Sequence, residues 1–211
     1  MSGLLQDLAL LGSVLAGAAG LVVVVAALWS GRSVLARRAA LGVGTLVALY
    51  AAALLGFSLA SRERTLAPGG EKSVAGFDPH LHFRVEGPLE RAPDGALIVT
   101  VRLRSDALRA VQNPRSLSAA LVDARGRRWP PVGSNAPVPD ARGRLARFSR
   151  TLAPGESCAV ALVFRPEPGA SGLRLLIVEG AFPCAVTIGH ENSPLHRKTY
   201  FALPEPAHSP R

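Results

Sequence analysis

The chain has 211 residues, 48% of them hydrophobic, 5% aromatic and 18% charged, and it carries a formal charge of +9. Nearly all of the positive charge is arginine, Lys72 and Lys198 being the only lysines, and the basic runs lack the regular aromatic interleaving of a nucleic-acid stacking platform. Cys158 and Cys184 stand too far apart for a Cys-x-x-Cys redox motif; a Gly-x-Ser-x-Gly elbow, a phosphate-cradling glycine loop and a His-Glu-x-x-His helix are all missing, which argues against catalysis.

Two charge-free apolar stretches, residues 8–31 and 39–61, flank a short segment carrying Arg32, Arg37 and Arg38. Each exceeds the roughly 20 apolar residues that cross a hydrocarbon core of about 30 Å, so they predict a transmembrane helical hairpin. Arginines near helix ends stay on the cytoplasmic side, which puts the connector inside and both the N-terminus and the large C-terminal part outside. Ahead of the first helix there is only Asp7, while Arg62 and Arg64 after the second are offset by Glu63. A cleaved signal peptide wants a positive n-region and a shorter apolar core than this N-terminus has. Gly12, Ala16 and Gly20 in the first helix and Ala48, Ala52 and Gly56 in the second recur at four-residue spacing. They form either a helix-packing face or the ordinary background of an alanine-rich segment. Trp29 lies at a helix end, whereas Tyr50 falls mid-span and its hydroxyl needs a neighbour.

Residues 63–76 read as a linker, and the apolar period then changes to two. Phe77, Leu81, Phe83 and Val85 alternate with Asp78, His80, His82, Arg84 and Glu86, and Leu97, Val99, Val101 and Leu103 repeat the pattern beyond an Ala-Pro-Asp-Gly turn at 92–95. Further strands are expected at 117–123, 144–151, 157–165, 172–179 and 197–203, separated by Pro, Gly and Asn clusters. About seven short strands without a helical stretch suggest an all-β, antiparallel immunoglobulin-like β-sandwich over 77–203, with a disordered tail at 204–211. The runs Arg125, Arg127, Arg128 and Arg142, Arg144, Arg147, Arg150 read as solvated faces or turns; outside the cytoplasm, anionic headgroups or polysaccharide are apter contacts for them than nucleic acid.

The stretch Leu152-Ala153-Pro154-Gly155-Glu156-Ser157, with the apolar run to Phe164, resembles the Leu-x-Pro-Gly-Glu-Ser segment of certain extracytoplasmic immunoglobulin-like domains. These are of the secreted mycobacterial immunoprotective-antigen type and recur on bacterial lipoproteins and membrane proteins. The hexapeptide at 64–69 repeats 150–155, but the following sequences diverge and no duplicated domain is expected. A second resemblance runs from Gly70-Glu71-Lys72 through Asp78, His80, Leu81 and Val85. It resumes at Ile188-Gly189-His190-Glu191-Asn192-Ser193 and continues through His196, Lys198 and Phe201. These segments are similar to a family of uncharacterised bacterial two-helix membrane proteins with one such β domain, whose first motif reads Cys-x-x-Asp-Cys-His. Here Ala75 and Pro79 stand at the cysteine positions, and only Asp78 and His80 match. The resemblance implies a bacterial inner-membrane protein with its β domain on the periplasmic side.

A strand would put Asp78, His80 and His82 on one face at steps of about 7 Å, and His190 or His196 could complete a copper or zinc site if it folds alongside. Against this, a regular strand spreads such side chains too far apart for easy chelation, and the alternative is a polar outer face with no cofactor. Cys158 falls in phase with Val160, Leu162 and Phe164, hence inward; it pairs with Cys184 in a disulfide, or both remain buried thiols. His190-Glu191-Asn192-Ser193 between Gly189 and Pro194 reads as a polar turn ahead of acid-base chemistry. The expectation is therefore a membrane-anchored extracytoplasmic protein that binds or scaffolds an envelope protein partner without catalysis, with copper or zinc handling as the alternative. Homo-oligomerisation stays open.

Overall fold

The structure, a computed structural model, describes residues 3–73, 81–114, 117–132, 138–139, 145–146, 150–179 and 184–204. It divides into two compact units, Met1–Arg62 with Phe182–Arg197, and Glu63–Ala181 with Lys198–Arg211. The division after Arg62 coincides with the expected end of the hairpin, while no division falls at 77. The segment taken as a linker belongs to the β unit, and part of the C-terminal region belongs with the helices.

The first unit contains α1 (Gly3–Trp29) and α2 (Ser33–Ala60), 27 and 28 residues long and therefore each about 40 Å at 1.5 Å per residue. Because α2 starts at Ser33, Arg37 and Arg38 lie in its first two turns and the true connector is Ser30–Arg32. Gly31, at φ +70°, ends α1 with the paired bonds Arg32 N to Ala27 O at 2.8 Å and Gly31 N to Leu28 O at 3.1 Å, a glycine-terminated helix stop. Besides Ala9, Leu54 and the buried Ser58, the residues withdrawn from solvent are Leu10, Ser13, Gly17, Gly20, Val24 and Ala27 on α1 and Ala36, Ala39, Val43, Leu46, Tyr50 and Ala53 on α2. Their steps alternate between three and four, the spacing of a coiled-coil seam. Within the hairpin this seam differs from the four-residue stripe that the sequence left open between a packing face and alanine-rich background. Of the stripe's members, Gly12, Ala16, Ala48, Ala52 and Gly56 are exposed, and only Gly20 sits on the seam, where an added Cβ would lie 2.4 Å from Val43 Cγ2.

In the second unit the strands among the described residues are β1 (Arg64–Leu66), β2 (Glu71–Ser73), β3 (Leu81–Arg91), β4 (Leu97–Ser105), β5 (Leu117–Val122) and β6 (Arg128–Trp129). They continue with β7 (Val138–Pro139), β8 (Leu145–Ala146), β9 (Ser157–Phe164), β10 (Arg174–Glu179) and β11 (Thr199–Ala202). One sheet runs β1-β11-β10-β5-β6 and the other β2-β3-β4-β9, while β7 and β8 form a separate pair. Phe83, Val85, Val99, Val101, Leu103, Val160, Leu162 and Phe164 from the second sheet share one core cluster with Leu121, Leu175, Ile177 and Phe201 from the first. Two sheets face each other across this core, so the unit is a β-sandwich. It is not wholly antiparallel as expected: β1 pairs parallel with β11, Arg64 opposite Thr199 and Leu66 opposite Phe201. Residues 64–66 escaped the sequence pattern because three residues are too few to show a period.

Elsewhere the alternation holds with altered bounds. β3 continues to Arg91 through a bulge between Glu86 and Glu90, where Gly87 takes φ +70°. Of the strand expected at 144–151, the described residues Leu145–Ala146 form β8, paired with β7, and 144 and 147–149 lie outside the described residues. No disulfide joins Cys158 to Cys184, correcting the oxidised alternative. Cys158 packs in the sandwich core opposite Leu103 as a small apolar side chain, whereas Cys184 starts a 3-10 turn in the helical unit.

The repeated hexapeptide makes the same turn twice. Gly70 N donates to Ala67 O at 2.8 Å and Glu156 N to Ala153 O at 3.0 Å, with Gly69 at φ +80° and Gly155 at φ +69°. Proline at the second position and a left-handed glycine at the third are what this turn requires. The first turn delivers β2 and the second β9, the two outer strands of one sheet. Lys72 on β2 then ties the sheets together, its Nζ donating to Ile177 O at 2.7 Å and Thr199 O at 3.4 Å on the facing sheet.

Candidate functional site

The densest polar constellation surrounds His82 on the outer face of β3. Its Nδ1 lies 2.9 Å from Glu71 Oε1 and its Nε2 2.7 Å from Asp106 Oδ2, while Arg104 Nη2 donates to Glu71 at 2.7 Å. The register explains the assembly, since His82 lies opposite Ser73 of β2 on one side and Arg104 of β4 on the other. The Arg104 hydrogen bond holds the Glu71 carboxyl below its ordinary value. With a carboxylate on each ring nitrogen, His82 is clamped between two acids on opposite sides. Among the described residues no group of three His, Cys, Asp or Glu side chains has the placement to hold a metal.

Of the other residues proposed for a metal site, Asp78 and His80 lie outside the described residues. His190 and His196 belong to the helical unit. Buried His190 accepts a hydrogen bond at Nδ1 from Asn192 N at 3.0 Å, and half-buried His196 places Nδ1 2.7 Å from Arg197 O. The sequence singled out His82 but missed Glu71, Arg104 and Asp106, which only strand pairing brings beside it.

In the helical unit, the segment from Cys184 to Arg197 answers the question posed by Tyr50. The Tyr50 hydroxyl donates to Val186 O at 2.7 Å, and Arg197 N donates to Ser61 Oγ at 2.8 Å. Thr187, His190 and Ser193 are buried, with Ser193 Oγ donating to Thr187 O at 2.5 Å and Ser193 N to His190 O at 2.9 Å. The segment is thus a chain of tight turns, as expected, and its serine is engaged with backbone, not with the imidazole.

The first basic run is likewise structural. Asp123 is buried and its Oδ1 accepts from Arg125 N at 2.9 Å and Arg127 N at 2.8 Å, while Oδ2 accepts from Arg127 Nε at 2.8 Å. Burial pushes the Asp123 carboxyl up, but these bonds outweigh it and hold the group below its ordinary value. Arg127 also reaches Glu167 at 2.9 Å and lies over Trp129. In the second run, Arg142, Arg144 and Arg147 lie outside the described residues, and Arg150 pairs with Glu156.

At the other end of β1 from Arg64, Pro68 and Gly69, the β3 bulge at Gly87 and Pro88, and Pro204 border an open cleft of about 640 Å³. Arg84 and Glu86 supply its charge, Glu86 being held by Arg102 Nε at 2.5 Å.

No family model matches the chain, and no curated protein matches its sequence. Among solved structures, it is similar to an uncharacterized β-sandwich protein from Clostridium difficile 630, at 8% identity and TM-score 0.40, over 67% of this chain and 95% of that one. It is also similar to MPT63, a secreted protein from Mycobacterium tuberculosis, at 14% identity and TM-score 0.42, over 68% of this chain and 99% of that one.

Proposed function

We propose that the chain is a membrane-anchored, extracytoplasmic β-sandwich of the bacterial envelope that binds or scaffolds a protein partner and performs no catalysis. The observation that carries this reading is the hairpin's surface. Both helices are long and apolar enough to cross a membrane, and in the most apolar stretch of each no residue is buried. Leu15, Val22, Leu41, Val47 and Leu59 are all exposed, and helices that hide so little of their own apolar surface need lipid or a protein around them. Arg32, Arg37 and Arg38 at the connector favour a cytoplasmic turn, which puts the sandwich outside.

The β unit begins without slack. Glu63 Oε1 accepts from Arg174 Nη1 at 2.5 Å, and Arg64 N donates to Lys198 O at 3.2 Å, so the sandwich starts two residues after Ser61. The proline-bordered cleft, at the end of β1 remote from Arg64, is the surface offered to the partner, with Arg84 to engage an acidic group.

The test uses the full chain in bacterial membranes. Resistance to alkaline extraction, with alkaline phosphatase active when fused after Pro204 and inactive when fused at Gly31, is the expected result. Release at alkaline pH, or the opposite fusion pattern, would sink the reading. Crosslinking from a photoreactive residue at Arg84 should then capture an envelope protein, and the Arg84→Glu variant should lose it.

A further inference from the structure

The segment from Cys184 to Arg197 belongs to the helical unit and is held against the C-terminal half of α2 at two levels. The Tyr50 hydroxyl donates to Val186 O at 2.7 Å, and Arg197 N donates to Ser61 Oγ at 2.8 Å. Between these anchors the chain climbs in three linked turns, His190 N donating to Thr187 O at 3.1 Å, Ser193 N to His190 O at 2.9 Å and His196 N to Ser193 O at 3.1 Å.

The heights of the two anchors follow from helix geometry. A hydrocarbon core is about 30 Å thick, and an α-helix climbs about 1.5 Å per residue. Arg37 and Arg38 can snorkel, so the cytoplasmic boundary of the core falls between Ser33, where α2 starts, and Arg38. Tyr50 then stands about 18 Å above Arg38 or about 26 Å above Ser33, inside the core on either count. Ser61 stands about 35 Å or about 42 Å up, outside it on either count. Helical side chains lean toward the N-terminus, here the cytoplasmic end, so the Tyr50 hydroxyl does not rise out of the core to meet Val186. Val186 comes down to it.

The make-up of the segment suits that depth. Non-helical backbone is tolerated within a membrane only where the protein satisfies its polar groups. Besides the linked turns, buried Ser193 donates from Oγ to Thr187 O at 2.5 Å, and buried His190 accepts at Nδ1 from Asn192 N at 3.0 Å. The single acid, Glu191, is half-buried, and apart from Arg197 the exposed residues are Ala185, Pro194 and Leu195, none with a polar side chain. Arg197, the one exposed charge, is held at the level of Ser61, beyond the core.

We propose that Cys184–Arg197 is a re-entrant segment that dips into the outer leaflet along α2, presenting Ala185, Pro194 and Leu195 to acyl chains and Arg197 to the headgroups. This rests on the reading of the hairpin as a membrane anchor with a cytoplasmic connector.

The experiment reconstitutes the full chain in vesicles of phosphatidylcholine and phosphatidylglycerol whose acyl chains carry bromines at shallow or deep positions. Ala185→Trp, Leu195→Trp and, as a lipid-facing reference on α2, Val47→Trp are each made in a Trp29→Phe background. Trp129 is the signal common to all, and thermal unfolding controls for folding; Leu195→Trp keeps the test open if Ala185→Trp does not fold. The expected result is that all three introduced indoles lose most of their emission to bromines, the one at position 185 more to deep bromines than the one at 195. Quenching at position 47 with none at 185 or 195 overturns the re-entrant segment and leaves the anchor standing. Quenching at 195 by shallow bromines with none at a folded 185 marks contact with the surface only, and likewise overturns it. Absence of quenching at all three positions overturns the anchor, and the re-entrant segment with it.

Discussion

The hairpin and the sandwich are built from the same apolar residue types and place them oppositely. In the sandwich Phe83 and Phe164 are 0% exposed and Phe201 1%, whereas in the hairpin Leu15 is 60%, Val22 68% and Leu59 69% exposed. The sandwich satisfies the hydrophobic effect internally, by closing two sheets on one core. The helices meet only along a narrow seam and leave the rest of their apolar surface to their surroundings. The two units thus place the same residue types in opposite ways, and along the chain the first change falls between Arg62 and Glu63.

The sharpest way to break this contrast is one truncation on each side of it. Phe83→Ala should cost the sandwich about 3–5 kcal/mol, because a cavity replaces a fully buried ring. Leu15→Ala should leave its unfolding midpoint unchanged, as read from Trp129 fluorescence of the full chain in micelles during urea titration. Equal losses would mean that the helical surface is part of a common core.

Next in size is Lys72→Met, which removes a charged donor from two carbonyls of the facing sheet and should cost about 2–3 kcal/mol in the same titration. Lys72→Arg should recover only part of it, since a planar fork does not reproduce a point donor. A neutral Lys72→Met would show that core packing alone holds the sheets together.

A smaller effect is expected in the other unit. Tyr50→Phe deprives Val186 O of its donor and should loosen the 184–197 segment by about 1 kcal/mol, seen as faster amide exchange there with no change in the sandwich.

The smallest effect near neutrality is a pH effect confined to the β unit. Asp123 and Glu71 are held below their ordinary values in the fold. Their stabilisation is therefore complete above the unfolded values of about 3.9 and 4.3 and fades as pH falls through the lower folded values. Urea midpoints should drop below about pH 4, and Asp123→Asn should flatten that acid limb while lowering stability at pH 7. An acid limb unchanged by the substitution would remove Asp123 as its source.

Much of this architecture was legible in the residues. Phe83, Val85, Val99 and Val101 announced buried strand faces by period, and the charge-free stretches announced the helices. What escaped detection was set by partners distant in sequence. The three residues of β1 carry no period, and their parallel partner lies 135 positions away in the Arg64–Thr199 register. Small residues drew attention to a four-residue stripe, but the seam follows Leu10, Ser13, Gly17 and Gly20 at heptad spacing, where large neighbours such as Val43 fill the space. Likewise His82 was visible as a histidine, whereas the acids that clamp it come from β2 and from the residue after β4.

The doubled hexapeptide has one more consequence. A sheet edge invites strand slippage and pairing with another chain, and a one-residue slip would turn every side chain of that strand to the wrong face. Here both outer strands of the β2-β3-β4-β9 sheet begin immediately after the same Ala-Pro-Gly corner. The imino ring and the left-handed glycine leave the chain no second place to turn, so six residues used twice act as a pair of bookends against aggregation.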